Sequence, residues 1–176
     1  SLWEMESNVM RVEFINPFVL ATVNVFEMML GCRLERGALS LKREHAPTHE
    51  VSGLIGLSGR CRGMVVVSVG RMTAIKAAEL MLGVRPESLN SEVMDAIGEL
   101  TNMIAGSAKS QLEEYQLTIG LPTVICGKTQ AIAFPSQSQP MVIPFDSDIG
   151  PVCVQVGLVE NSAQASEFAA SAAAEL

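Results

Sequence analysis

An acidic and an amide side chain stand three residues apart within one predicted helix, at Glu99 and Asn102. Successive helical residues are rotated by about 100°, so positions i and i+3 lie side by side on the same face. A carboxylate accepts hydrogen bonds, whereas an amide both donates and accepts them. This spacing predicts a polar surface on which the two side chains contact a partner together.

The helix that carries this pair is predicted to begin at Asn90 or Ser91 and to run to about Tyr115. Asn and Ser are favoured at a helix start because their side chains accept a hydrogen bond from a backbone N–H. The apolar residues expected to face the core are Val93, Ile97, Leu100 and Ile104. The opposite face carries Asp95, Glu99, Asn102, Gly106 and Lys109.

One flank of this helix accumulates poor helix formers. Gly98 and Gly106 each cost about 1 kcal/mol relative to Ala in a helix, and Asn102 competes for backbone hydrogen bonds. Alternatively, an exposed acid and amide on a helix serve only to keep that surface of the helix hydrated. Three costly residues on one flank instead favour a face that a partner's backbone or side chain approaches closely.

The surrounding elements follow from capping and hydrophobic periodicity. Asn16 and Pro17 predict the start of a first long helix that runs to Leu30, and Thr73 predicts the start of a short helix to Leu82. A glycine follows each of these helices, as helix ends favour. Strands are predicted at 33–41, 50–57, 61–69, 117–126, 141–145 and 152–159.

This order of elements predicts an α/β (α+β) fold with a mixed, largely antiparallel sheet and two long helices on one face. The first three strands are expected to form an antiparallel meander. A long helix followed by strands occurs twice, which suggests two pseudo-symmetric half-units. Residues 128–140 are predicted to be a loop or partly a hairpin. Residues 1–10 are predicted to be a leader in which Met5 is a plausible native start, 11–160 the folded domain, and 161–176 an Ala/Ser-rich disordered tail.

Composition argues against several function classes. A formal net charge of -7, from 12 basic and 19 acidic residues, disfavours nucleic-acid binding. No apolar run approaches the roughly 20 residues that a membrane-spanning helix requires, so we expect a cytoplasmic protein without membrane contact. The four cysteines form no CxxC pair and are expected to be buried, reduced thiols.

The segment from Gly98 to Gly106, GELTNMIAG, resembles the phosphatase signature of the CheC/CheX/FliY family, and specifically its CheX type. The segment from Ile15 to Glu27 is similar to the first helix of that family. Leu121 to Gly127 is similar to the strand that follows the family's long helix. The order of elements agrees over roughly Val12 to Val159, so the chain is identified as a CheX-like member with the pseudo-symmetric fold of the family.

This resemblance implies a phosphatase that hydrolyses the aspartyl phosphate of a CheY-like response-regulator receiver domain. Asn102 would be the catalytic residue, because its amide can orient the attacking water in line with the phosphorus without taking a proton. Glu99 would pair with a lysine that the partner places beside the phosphoryl group. The resemblance implies no cofactor in this chain, because the receiver would carry the Mg²⁺ that neutralises phosphoryl charge.

Five further residues are predicted to contact the partner, namely Asp95, Gly98, Met103, Gly106 and Lys109. Gly106 would permit close docking, whereas Asp95 and Lys109 would line the rim. The resemblance also implies a homodimer, for which exposed sheet edges offer a physical route.

One departure from the wider family concerns the first helix, where CheC-type members carry a second E-x-x-N. The corresponding residues here are Ala21, Thr22, Val23 and Asn24, without an acid three positions before Asn24. We therefore expect one active site per chain and a structural role for Asn24. The alternative function is a non-catalytic binding or scaffolding module of the same fold.

Two other motifs are weaker. His45 and His49 could be a metal pair in a metal hydrolase, but Pro47 prevents a shared helical face, and turn chemistry explains the loop. The glycines between residues 53 and 63 lie between strands, which is not the context of a phosphate-binding loop. We expect them to serve turns or bulges, and we expect no metal site in this chain.

Overall fold

The computed structural model describes residues 12–161 apart from 45–46, 130 and 136. The predicted leader at 1–10 lies outside the described residues, as does the predicted tail beyond Asn161. Three α-helices and eight strands are formed within the described part of the chain. The helices are α1 (Val12–Leu30), α2 (Arg71–Leu82) and α3 (Ser91–Ser110).

The strands form one eight-stranded sheet in which every described pairing is antiparallel. They are β1 (Leu34–Arg36), β2 (Ser40–Leu41), β3 (Val51–Ser58), β4 (Cys61–Val69), β5 (Thr118–Ile119), β6 (Thr123–Cys126), β7 (Met141–Ser147) and β8 (Val152–Glu160). The order is β1-β7-β8-β4-β3-β5, with β2 on β7 and β6 on β3. The predicted α/β fold with a largely antiparallel sheet is confirmed, although no parallel pair occurs among the described strands to make the sheet mixed.

The predicted meander of the first three strands is confirmed for its second and third strands, since β3 and β4 pair antiparallel, but it is wrong for the first strand. β1 pairs with β7, where Leu34 is opposite Ser147, instead of lying next to β3. β3 is already paired with β4 on one side and with β5 and β6 on the other, so no free edge of β3 is left for β1. The first strand therefore lies at the opposite end of the sheet from β5 and β6.

Helix α1 extends further towards the N-terminus than its capping signal predicts. Asn16 and Pro17 lie inside the helix, although Pro17 has no N–H to donate to the preceding turn. Phe14 and Ile15 are buried in the core, each with 3% of its surface exposed. Burial of these two side chains stabilises the additional helical turn.

The other helix ends agree more closely with prediction. The Asn90 side chain accepts a hydrogen bond from the Val93 N–H at 3.1 Å, which caps α3. Gly83 ends α2 in the left-handed region, with a φ of 77°. Helix α3 stops at Ser110, earlier than predicted, and a short 3₁₀ turn follows at Glu113–Tyr115. Thr73 lies within α2, after its cap at Gly70.

The main core lies between the three helices and one face of the sheet. The first, third, fifth and seventh residues of β3 point towards the helices, because strand side chains alternate between faces. Gly53, on this face, gives α3 room to approach, since a Cβ there would overlap the Thr101 hydroxyl. The long helix is therefore seated directly on β3.

The opposite face of the sheet is covered by loops that carry polar and aromatic groups. Ser52 and Ser68 are buried and share a hydrogen bond of 2.9 Å. Gln155 is fully buried and donates to Thr48. Residues 128–140, where a partial hairpin was one prediction, contain no strand among those that the structure describes.

Helix α1 from Glu13 to Leu30 is long and apolar enough, by length and composition alone, to cross a membrane. The sequence prediction overlooked this segment. Half of it is buried inside the protein, as is usual for the core helix of a globular domain. The segment is therefore weak evidence for a membrane span.

Candidate functional site

The exposed side of α3 presents the acid and the amide that the sequence singles out. Glu99 is exposed, and Asn102 is partly exposed. Within the part of the chain that the structure describes, neither side chain has a hydrogen-bond or ion-pair partner. Both groups are therefore free to bind something outside the chain, in contrast to polar groups that serve the fold.

The other predicted contact residues divide into two groups. Asp95 is exposed, and Met103, Gly106 and Lys109 are partly exposed, so these four lie on the accessible side of α3. Gly98 is buried, which contradicts its predicted place on the accessible face. The helix turns Gly98 towards Pro122 and Val124 of the following segment and not towards solvent.

A segment of the chain runs beside α3 and packs on its two glycines. A Cβ at Gly98 would lie 3.5 Å from a methyl group of Val124 and 3.7 Å from the Pro122 ring. A Cβ at Gly106 would lie 4.0 Å from Ile119. The stretch from Ile119 to Val124 thus flanks the helix along two of its turns, on either side of the level of Asn102.

Thr101 fixes the rotation of α3 from the inner side. Its side chain is fully buried, and its hydroxyl donates a hydrogen bond to the Ile97 carbonyl at 2.7 Å. The space above Gly53 admits this side chain, as a larger residue at position 53 would not. Because Asn102 is the next residue along the helix, the seat of Thr101 on Gly53 helps to place Asn102 on the partly exposed side of α3.

The C-terminal end of α3 is tied to α1 by aromatic and polar contacts. The rings of Phe14 and Tyr115 meet edge to face, with centroids 4.9 Å apart. The Tyr115 hydroxyl donates to a Glu13 carboxylate oxygen at 3.2 Å. Burial, followed by the nearby charge of Glu13, raises the pKa of Tyr115 to about 12. These contacts hold the end of the helix that carries the site.

The accessible face of α3 has an uneven charge distribution. Glu92, Asp95 and Glu99 are all exposed and follow one another at helical spacing. Lys109 lies in the last turn. The resulting negative field around Glu99 favours a partner that presents a cation.

The structure gives little support to the alternative metal site at His45 and His49. His45 lies outside the described residues. His49 is partly buried, and this burial, together with the charge of Lys128, lowers the pKa of its imidazole. Among the described residues, no group of three or more His, Cys, Asp or Glu side chains could hold a metal ion.

Cysteines and glycines show two differences from expectation. Cys32, Cys61 and Cys153 are buried thiols outside any disulfide, as predicted, whereas Cys126 is exposed. Gly59 lies in the β3–β4 turn, as expected for a turn glycine. Gly53 and Gly63 instead lie within strands, where a Cβ would overlap neighbouring atoms. These two residues serve close packing and not turns.

The sequence prediction missed the contribution of the segment beside α3, in particular Leu121 and Pro122. Leu121 has 91% of its surface exposed, although it lies next to the helix that carries the acid and amide. A large apolar residue between glycine and proline in a turn was an available signal. Its distance in sequence from Asn102 concealed the fact that this segment runs beside α3.

Comparison with known proteins connects this geometry to a family. A family profile described as chemotaxis phosphatase CheX matches residues 51–146. The CheY-P phosphatase CheX of Thermotoga maritima is 28% identical over 122 residues, which cover 68% of this chain and 79% of that protein.

Solved structures agree with this match. A CheC-like superfamily protein from Shewanella sp. PV-4 is 36% identical and superimposes with a TM-score of 0.78, covering 85% of this chain and 99% of its own. A chain of the CheX-CheY-BeF3-Mg complex from Borrelia burgdorferi has a TM-score of 0.73 at 24% identity, covering 85% of this chain and all of its own, which shows a shared fold.

Proposed function

Because the chain belongs to the chemotaxis phosphatase CheX family, we propose that it hydrolyses the aspartyl phosphate of a CheY-like response regulator. The observation that carries the proposal is the outward pair of Glu99 and Asn102, which has no partner among the described residues. A relative named CheY-P phosphatase and a protein of the same fold solved with CheY support the choice of substrate.

Asn102 acts by positioning water. Its amide carbonyl accepts a hydrogen bond from the water, and its N–H₂ group donates to the phosphoryl group or its surroundings. Water oxygen attacks phosphorus as the bond to the aspartate oxygen breaks, which leaves a free aspartate carboxylate and a dihydrogen phosphate ion that carries both protons of the water. The amide neither takes nor gives a proton, so its contribution is orientation of the nucleophile.

Glu99 sets the register of docking. Its carboxylate pairs with a lysine of the receiver, and the neighbouring acids of α3 favour the approach of that cation. This ion pair between Glu99 and the lysine lies one helical turn from Asn102. Fixing the position of Glu99 therefore brings the Asn102 amide to the phosphoryl group. Mg²⁺ belongs to the receiver, where it neutralises phosphoryl charge.

The remaining accessible residues form the border of the contact. Gly106 allows the partner's backbone to approach closely, and Met103 adds adaptable apolar contact. Asp95 and Lys109 lie at the rim, where charges affect the rate of association more than affinity. Homodimer formation and a cytoplasmic location remain predictions; the edges of the sheet near β1 and β6 are the routes by which strands could pair between copies.

The proposal is tested by the rate at which a purified CheY domain, encoded in the same genome as this chain, loses its phosphate. The domain is phosphorylated with acetyl phosphate in Mg²⁺ and then mixed with a tenth of its concentration of this chain. We expect the phosphorylated form to disappear faster with the wild-type chain, over several turnovers, and at nearly its spontaneous rate with Asn102→Ala.

A parallel binding measurement separates the phosphatase from the scaffolding alternative. We expect Asn102→Ala to bind CheY carrying beryllofluoride and Mg²⁺ about as well as the wild type. Glu99→Ala is expected to weaken both binding and hydrolysis. Tight binding by a wild-type chain that leaves the lifetime of the aspartyl phosphate unchanged would instead show a binding module.

A further inference from the structure

The turn between β5 and β6 places a large apolar side chain in solvent. Leu121 is 91% exposed, more than Met28 at 73% or Val84 at 72%. Single exposed apolar residues are common on protein surfaces and need no special explanation. The location of Leu121 and the anchoring of its backbone distinguish it from the other exposed apolar residues.

The location follows from the two glycines of α3. Ile119 packs at Gly106, and Pro122 packs at Gly98, eight residues earlier in the helix. Eight helical residues span about 12 Å, and Asn102 lies at the middle of that length. The chain from Ile119 to Pro122 therefore runs past the level of Asn102, and Leu121 projects into solvent from this stretch.

Contacts made by the residues on either side of Leu121 hold its backbone in place. The Gly120 N–H donates a hydrogen bond to the Gly56 carbonyl at 3.0 Å, which anchors the turn to β3. Pro122 restricts the backbone of the preceding residue to extended conformations and packs against α3. The backbone at Leu121 is therefore already ordered, so no further backbone ordering is needed when a partner covers this side chain.

We propose that Leu121 is a docking residue that inserts into an apolar depression on the CheY-like receiver, next to the cation that pairs with Glu99. This inference rests on the proposed function, and it adds a specificity contact to the same surface. The phosphoryl group is recognised by polar groups on α3, whereas Leu121 recognises the receiver fold around it.

The composition of the surface supports a protein partner of this chemistry. Productive interfaces combine a desolvated apolar anchor with surrounding polar and charged contacts. Here Leu121 supplies the anchor, and Glu99 and Asp95 supply exposed charge on the adjacent helix. A small soluble phosphate would use the polar groups of α3 but would gain nothing from a projecting leucine.

Steady-state hydrolysis with Leu121→Ser tests the proposal, with Val84→Ser as the matched control at an exposed apolar residue between α2 and α3. We expect Leu121→Ser to raise the KM for phosphorylated CheY roughly tenfold while kcat stays near the wild-type value. Val84→Ser is expected to leave both constants unchanged. Leu121→Met, which keeps an apolar side chain of similar volume, is expected to restore most of the affinity.

Binding to CheY loaded with beryllofluoride and Mg²⁺ separates this proposal from the proposed function. A wild-type chain that binds without hydrolysis would overturn the phosphatase, whereas a roughly tenfold weaker binding by Leu121→Ser would still support the docking contact. An unchanged KM and dissociation constant in Leu121→Ser would overturn the docking contact alone. A change in self-association instead, seen by sedimentation, would assign Leu121 to a second copy of the chain and would also overturn it.

Discussion

Helices α1 and α3 are packed through similar inner faces but have different outer faces. Each packs on the other and carries a buried threonine whose hydroxyl bonds to the carbonyl four residues earlier. The distances are equal, at 2.7 Å from Thr22 to the Phe18 carbonyl and from Thr101 to the Ile97 carbonyl. The inner sides of the two helices are thus built alike.

Aligning the two threonines shows where the helices differ. Leu20 then takes the position of Glu99, and Val23 takes the position of Asn102. Asn24 is exposed, but it lies one residue further on, about 100° around the helix. Of these two helices, only α3 therefore carries the polar pair. Residues on the outer face can differ between the helices without disturbing the packing beneath them.

The largest effect is expected from removing the amide on each helix. Asn102→Ala should lower kcat roughly a hundredfold, because the attacking water is no longer oriented. Asn24→Ala on α1 should leave the rate unchanged. Phosphate release from phosphorylated CheY measures both variants, and a comparable loss in Asn24→Ala would show that α1 carries a second site.

The next effect concerns the acids of the two helices. Glu99→Gln should raise the KM roughly tenfold, because the pair with the partner's cation is lost, and it should weaken the salt dependence of KM. The exposed Glu27 of α1 provides the control, since Glu27→Gln should leave both properties unchanged. Equal salt dependence in Glu99→Gln and wild type would contradict a charge contact at this residue.

A smaller effect is expected from the two glycines of α3. Gly106→Ala should stabilise the helix by up to about 1 kcal/mol but lower activity several-fold, because the partner's backbone can no longer approach as closely. Gly98→Ala should keep activity, since its Cβ would meet Val124 at an ordinary contact distance of 3.5 Å. Urea unfolding together with hydrolysis assays checks both; lost activity in Gly98→Ala would return this residue to the docking surface.

The smallest effect is expected from the contact that joins the two helices. The pKa of Tyr115 rises from 10.0 to about 12 in the folded protein, so folding favours the protonated phenol. This contribution to stability is fully present below pH 10 and is lost as the pH rises towards about 12. Because the chain has a single Tyr, Tyr115→Phe should flatten the fall in unfolding free energy over that interval. Parallel pH profiles for the variant and wild type would contradict the contact.

Much of this protein could be predicted from local sequence. Helical periodicity placed Glu99 and Asn102 on one outward face, and capping chemistry located the start of α3 at Asn90. The left-handed end of α2 at Gly83 followed in the same way. These features depend on residues within a few positions of one another, so short-range sequence rules are sufficient for them.

Other features depend on which distant segments meet. The pairing of β1 with β7, the burial of Gly98 under Pro122 and the packing of Ile119 at Gly106 all join residues that are distant in the chain. Local periodicity carries no information about such pairings, because several arrangements of strands satisfy the same alternation.

The sequence by itself determined the acid and amide pair, the helix that carries it and the family signature around it. Only the tertiary structure decided how α3 is seated on Gly53, which turn runs beside the pair, and which glycine remains accessible. The reason is physical: spacing along a helix sets the direction of side chains relative to one another, whereas packing against the sheet sets their direction relative to solvent.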